Sequence, residues 1–345
     1  MTYRSLARLP KAHLHLHFTG SMRHDTLVEL AAETGHELPP ALRSTSPLAV
    51  PADQRGWFRF QRLYDAARSC VRTEAAMRRV VREAAEDDAA EGSRRLELQI
   101  DPTTYAPHVG GLTAALEIVL DEARSASAVT GCAVAVVVAG SRLRHPLEGR
   151  TLARLAARYA GSGPGEVVGF GLSNDERRGD TAQWAPAFGI AARAGLALVP
   201  HGGELLGADH VRAVVEHLSP HRLGHGVRAV EEPAVLAEVV ERGIALEVCP
   251  TSNVALGVYP EPAAVPLREL LAAGATIALG ADDPLLFASR LLDQYRIARG
   301  SHGLSDPELA ELARSSVRVS RAESDEKARL SAEIDAWLAE PQRDR

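Results

Sequence analysis

The sequence predicts an α/β protein folded as a (β/α)8 barrel. Three observations carry this: eight short apolar runs, helical patterns between them, and polar residues where those runs end. The runs are residues 12–18, 95–100, 132–140, 167–172, 197–201, 222–226, 245–249 and 276–280. Several are almost continuously apolar, such as AVAVVVAG and LALVP. Strands buried on both faces of a parallel sheet read this way. Amphipathic stretches 73–90, 112–126, 149–160, 184–195, 207–217, 231–243 and 267–274 alternate with them, and several end in glycine. Strands and helices in that alternation suit a closed barrel. The alternative, a doubly wound open sheet, would gather its site at one switch point, whereas here polar residues follow many strands. The whole chain, residues 1–345, is expected to form one such domain.

Composition narrows the function. The chain is 46% hydrophobic and 24% charged, as a globular protein with a large core should be. Its net charge of −6 gives no reason to expect nucleic acid or an anionic membrane as partner. No apolar run approaches ~20 residues, so no membrane span is expected. The N-terminal MTYRSLARLPKAH lacks the apolar core of a signal peptide. Cys70, Cys132 and Cys249 form no Cys-x-x-Cys pair, which suits reduced thiols and a cytoplasmic location. Lys11 and Lys327 are the only lysines. The sequence sets no oligomeric state.

The first strand carries the densest chemistry. Residues 10–21 read PKAHLHLHFTGS, with His13, His15 and His17 at alternate positions. A strand repeats every two residues, so the three rings share a face. Two such rings can converge on one metal ion; a strand of merely hydrogen-bonded histidines is the plainer alternative. His13 lies one step deeper and is expected to be structural. Residues 23–72 are long for a crossover and contain two expected helices, 24–34 and 55–69, with prolines between them. An insertion there lies at the C-terminal mouth of the barrel, where it can cover a pocket. Trp57, Phe58, Phe60 and Tyr64 fall in it; an ordinary helix face packed on the barrel is the commoner use of such residues. After the last strand, residues 284–345 carry about three polar helices. Ser324 is a candidate cap for the last, and EPQRDR reads as a frayed tail.

The strand ends supply the rest. The fifth ends in PHGGE, with His201 and Glu204; the sixth carries RLGHG, with His225; the eighth ends in GADDP, with Asp282 and Asp283. In a barrel these ends meet on one face, where active sites sit. Histidine nitrogen with carboxylate oxygen suits Zn²⁺, and iron or manganese can use the same set. Each residue has a plainer reading. His225 can fill a tight turn, Asp282 and Asp283 can cap a helix starting at Pro284, and Glu204 can sit near a helix N-terminus. Their joint occurrence after strands one, five, six and eight favours a site.

These motifs together resemble the adenosine deaminase family of metal-dependent hydrolases. The His-x-His strand, HGGE for the family's HAGE, RLGHG, LEVCPTSN and DDPLLF occur in the family's order and approximate spacing. The resemblance runs from PKAHLHLHFTGS to about DPLLFASRLLDQY. It implies that His15, His17, His201 and Asp282 bind one zinc ion. It further implies that Glu204 protonates purine N1, His225 activates or orients the attacking water, and Asp283 hydrogen-bonds N7. The chemistry asks for the same types: an aromatic C6 amine becomes attackable once N1 is protonated, and a Glu with a raised pKa can supply that proton.

Two departures bear on the substrate. Phe18-Thr19 stands where the family has an Asp that contacts the ribose hydroxyl. Asn174-Asp175-Glu176 replaces Gly-Asp-Glu, whose glycine N–H serves purine N3. The expected reaction is deamination of adenosine or 2′-deoxyadenosine to the inosine and ammonia, with His17, Thr19, Asn174 and Asp283 contacting substrate. The alternatives within this chemistry are adenine, aminodeoxyfutalosine or another modified adenosine, with Arg23 a candidate for a substrate carboxylate or phosphate. A binuclear amidohydrolase would need a lysine after strand four, and neither lysine is there. A non-catalytic binding protein is disfavoured because every expected ligand and Glu204 are present.

Overall fold

The computed structural model describes residues 4–341. Eight parallel strands form one sheet in the order 1 to 8. They are β1 (Lys11–His17), β2 (Ser93–Ile100), β3 (Ala133–Ser141), β4 (Val167–Ser173), β5 (Ala197–Gly202), β6 (Arg222–His225), β7 (Ala245–Val248) and β8 (Ile277–Leu279). A parallel bridge between Leu16 and Asp282 joins the last strand's extension back to the first. His17 N–H donates to the Asp282 carbonyl at 3.1 Å, and Asp282 N–H to the His15 carbonyl at 3.0 Å. The closure therefore uses the same residues that line the site.

The apolar runs do what their composition requires. Val134, Val136 and Val138 of β3 are fully buried in the main core, while Ala135 and Val137 form a second cluster with Val168. Both faces of that strand are covered, which is why it reads as a continuous run rather than an alternation. The connecting helices have clear starts. Thr73 accepts from Ala76 N–H ahead of Glu74–Ala90, and Asp53 from Gly56 N–H ahead of Gln54–Arg68. Helix Leu112–Thr130 stops at Gly131, whose φ of 73° is left-handed and costs glycine little.

The insertion holds helices His24–Thr34 and Gln54–Arg68, as expected. Trp57, Phe60 and Tyr64 on the second line the cavity at the barrel mouth; Phe58 points away and is 63% exposed. After β8 come a short turn, Pro284–Phe287, and helices Leu291–Gly300, Asp306–Val319 and Ser324–Ala339. Ser316 on the second of these accepts from Ala12 N–H at 3.0 Å, tying that helix to β1. One expectation is corrected. Ser324 is the first helical residue rather than the cap, which is Glu323 without a side-chain bond. The helix expected over 184–195 is present as Ala185–Arg193, and a 3-10 turn, Thr181–Trp184, leads into it, with Pro186 in its first turn. Residues 342–345 of the expected frayed tail lie outside the described residues.

Candidate active site

The strand ends bring six sequence-predicted side chains within a few ångströms of one another. His15 and His17 leave β1 with rings 5.1 Å apart and nearly perpendicular. His201 of β5 lies 4.7 Å from His15 and 5.2 Å from His17, centroid to centroid. Asp282 closes the group: its Oδ1 is 3.0 Å from His17 Nε2 and 3.5 Å from His15 Nε2. His225 Nε2 stands 4.0 Å from Asp282 Oδ2 and 3.5 Å from Glu204 Oε1. Such proximity needs glycine nearby. A Cβ on Gly224 would fall 2.9 Å from His15 Cε1 and 3.0 Å from His201 Cγ. His225 and Asp282 hold left-handed backbones, φ 65° and 62°, which only surrounding structure can enforce on non-glycine residues.

This donor set fits a metal ion. Ligand atoms of His15, His17 and Asp282 lie within 4.8 Å of one another, as do those of His15, His201 and His225, and of Glu204, His225 and Asp282. His15 Nε2 is buried and without a hydrogen-bond partner. Its other nitrogen, Nδ1, donates to Glu247 Oε2 at 2.8 Å, which fixes the ring's tautomer and leaves Nε2 to accept a cation. Gln99 sits 3.3 Å from His17 Nδ1, and Ser252 donates to Asp282 Oδ2 at 2.5 Å. Burial opposes charge on His15, yet Asp282 and Glu247 raise its pKa to about 10. The field that favours a proton there favours a divalent cation in its place. His201 is pushed well down by burial and by the neighbouring imidazoles, so it is available as a neutral donor.

Three further groups have the protonation states that acid–base work needs. Burial, then the negative Asp282 and Glu176, raise Glu204 well above the usual carboxylate range. Burial and Asp282 do the same to Asp283, so each can donate a proton or a hydrogen bond near neutrality. Burial lowers His225 to about 4, which keeps it neutral and able to accept. Asp283 is the N-cap residue of Pro284–Phe287, but its side chain makes no cap bond and its Oδ1 has no partner. The helix-cap reading of that residue therefore fails.

The cavity is bounded by His17, Glu204, His225, Asp282 and Asp283 at its inner end, and by Asn174 on one side. Asn174 has φ 82° and bonds its own Oδ1 to Asp175 N–H at 2.8 Å, turning the chain after β4. Thr19 is placed differently. It is 1% exposed and does not border the cavity; its hydroxyl meets Tyr105 Oη at 2.5 Å, and Tyr105 forms the wall. Arg23 is also elsewhere, held by Asp87 at 2.8 Å and Glu86 at 2.9 Å, and does not line the cavity; Arg68 does. His13 stands apart from the cluster. Its Nε2 accepts from Ala281 N–H at 3.0 Å and its Nδ1 donates to Asp88. Sequence reading missed Glu247, Gln99, Ser252 and Tyr105. Glu247 alone carried a signal: a carboxylate inside an apolar strand must have a partner.

A barrel of this topology with a histidine–carboxylate cluster at its C-terminal mouth defines a hydrolase of the metal-dependent amidohydrolase type. The adenosine deaminase profile matches residues 10–337, and the chain belongs to that family. It is 58% identical over 336 residues to the putative adenosine/adenine deaminase of Streptomyces virginiae, covering 97% of this chain and 98% of the relative. The adenine deaminase of Sinorhizobium medicae is 32% identical over 329 residues, 95% of this chain and 99% of its own. Among solved structures, adenine deaminase from Arthrobacter aurescens matches with a TM-score of 0.87 at 28% identity, covering 96% of this chain and 99% of that one. The chain is a hydrolase acting on C–N bonds, a deaminase of the 6-aminopurine class.

Proposed function

We propose that the enzyme hydrolyses adenine, as the free base, to hypoxanthine and ammonia. The observation that carries the choice of base over nucleoside is the Thr19–Tyr105 pair. The resemblance expects a carboxylate at Thr19 to meet a ribose hydroxyl. Here the position bears a neutral hydroxyl already bonded to Tyr105, and Tyr105 forms the wall. A sugar would meet walls that include Phe18, Tyr64 and Tyr105, with no carboxylate at position 19. The relatives named adenine deaminases support the same reading, which replaces the adenosine expected from sequence.

His15, His17, His201 and Asp282 would hold one metal ion per chain, and three imidazoles with one carboxylate suit zinc. When bound, zinc supplies a water acidified to a pKa of ~7. Glu204, held protonated, faces the ring edge and gives its proton to N1, drawing electrons from C6. His225 is neutral, lies between Glu204 and Asp282, and accepts the proton of the attacking water. Asp283, also protonated, donates to N7 and fixes which face of C6 meets the water.

The test is kcat/KM for adenine, adenosine, 2′-deoxyadenosine, AMP and aminodeoxyfutalosine under one set of conditions. Adenine should lead by about tenfold or more, a difference of ~1.4 kcal/mol. Adenosine leading by that margin would restore the nucleoside reading and leave the chemistry in place.

A further inference from the structure

Glu176 follows β4 and belongs to the Asn174-Asp175-Glu176 stretch. It does not border the cavity and belongs to none of the side-chain groups that could share a metal ion. Its side chain is nonetheless fully buried beside them. Its oxygens accept three successive backbone N–H groups of the loop after β5: Glu204 at 3.1 Å, Leu205 at 2.8 Å and Leu206 at 2.8 Å. His210 Nδ1, on the helix that follows this loop, lies 3.6 Å away. Arg142 adds its charge from the β3 end while donating to the His201 carbonyl at 2.9 Å and to Thr181 at 3.1 Å. Burial opposes ionisation of Glu176, but His210, the loop N–H groups and Arg142 hold it down at about 2. It is therefore a carboxylate throughout the working range.

We infer that Glu176 is a positioning residue: its carboxylate cradles the backbone of residues 204–206 and so sets where the Glu204 side chain points. The inference rests on Glu204 being the proton donor. The need for such a device is geometric. Gly203, just before Glu204, is left-handed at φ 79°, so the loop turns sharply, and the next three N–H groups go to the Glu176 carboxylate. The two other buried acids at the mouth that flank the substrate, Glu204 and Asp283, must keep a proton to work. Glu176 differs from them because its oxygens are filled by N–H donors, which is what a fixed anion requires. A loop left free by about 1 Å would misplace the acid against N1, and misplacement of that size costs on the order of 10²-fold in rate.

Glu176→Gln tests this, because the amide keeps the shape but turns an N–H₂ toward N–H groups. Its kcat should fall about 10–10²-fold with KM within about threefold and the metal content unchanged. Amide exchange of residues 204–206 should quicken while the barrel strands keep their protection. A Glu204→Gln/Glu176→Gln double variant should be no more than about threefold slower than Glu204→Gln alone, since both act through one proton. Glu176→Asp, one methylene shorter, should show the same pattern at smaller size and serves if the Gln variant does not fold. A brisk Glu176→Gln or Glu176→Asp enzyme beside a slow Glu204→Gln would overturn the inference alone. So would full additivity in the double variant, or a loss that tracks metal content. A Glu204→Gln enzyme with normal turnover overturns the functional reading and this inference with it.

Discussion

The barrel buries two groups of charged residues, one in its lower interior and one at its mouth, and they solve burial in opposite ways. Below, Arg95 Nε pairs with Glu97 at 3.1 Å, Arg222 with Glu97 at 2.7 Å and with Glu247 at 2.6 Å, all but fully buried. Arg222 on β6 and Glu97 on β2 come from opposite sides of the sheet order, so their contact crosses the interior. Every carboxylate there has a guanidinium. At the mouth Glu204, Asp282 and Asp283 have no arginine. Burial and neighbouring carboxylates raise the pKa of Glu204 and Asp283, and Asp282 faces imidazoles and the place for a cation. A buried carboxylate met by arginine is architecture; one left without it is available for chemistry. Glu247 joins the two groups, with one oxygen on Arg222 and the other on His15.

Removing the cation's ligands should break the mouth and spare the rest. A His15→Ala/His201→Ala variant should lose its metal, and with it turnover, while still unfolding cooperatively. Elemental analysis should find one zinc per wild-type chain and close to none in the variant. Two metals per active chain, or full retention in the variant, would refute the ligand set. Acid should act the same way, because protonated histidines release metal as pH falls.

The next effect in size separates acid from ligand. Glu204→Gln should keep the metal and lose about 10²–10⁴-fold in kcat. The sign of the pH dependence follows from the raised pKa of Glu204: the active form is protonated, so kcat/KM declines as pH rises through that value. The variant should lack this alkaline decline. His225→Ala should also keep its metal, and loss of zinc there would move His225 among the ligands.

Much of this was legible beforehand because the mouth is built from residues at strand ends. Alternation in β1 paired His15 with His17, and short polar motifs after β5, β6 and β8 marked the others. Strand boundaries slipped by only one or two residues, since apolar runs define strand interiors better than ends. The lower network was not legible. Arg95, Glu97, Arg222 and Glu247 are scattered over three strands, and no local pattern says that they meet. The Thr19–Tyr105 bond was hidden for a related reason. The neighbour of Thr19 in sequence is Phe18, but its partner is Tyr105, 86 residues away, and only the closed barrel brings them together. Glu176 was visible as a letter in a motif, while its three N–H partners belong to another loop.

A change in the lower interior should affect stability first. Arg222→Met leaves Glu97 and Glu247 buried without a shared cation and should cost about 3–5 kcal/mol in urea unfolding. The pH dependence sharpens this. Arg222 and Arg95 overcome burial and hold Glu97 at about 2, below its unfolded value of ~4.3. Its contribution is thus present above the unfolded pKa and is lost as pH falls toward about 2. Wild-type stability should drop across that window, and the drop should shrink in Arg222→Met. A variant within about 1 kcal/mol of wild type at neutral pH would show that the network is not what holds this end together.

The smallest effect concerns a pair at the mouth that is buried, polar and neutral on both sides. Thr19 and Tyr105 carry no charge, so their bond is the easiest of the three systems to edit without unbalancing the barrel. Tyr105→Phe keeps the ring against Phe18, which it meets edge-on at 5.1 Å, and removes only the hydroxyl. Thr19 is then free to bond a sugar hydroxyl if one enters. A neutral hydrogen bond contributes about 0.5–1.5 kcal/mol, so adenosine should gain about 2–10-fold in kcat/KM relative to adenine. The gain should appear in the ratio rather than in adenine turnover, because Glu204, His225 and Asp283 are untouched. Thr19→Asp provides the charged version of the same edit and should move the ratio further in the same direction. An unchanged ratio in both variants would mean that the sugar end is set elsewhere in the cavity, with Gln61, Arg68 and Asp101 the residues to change next.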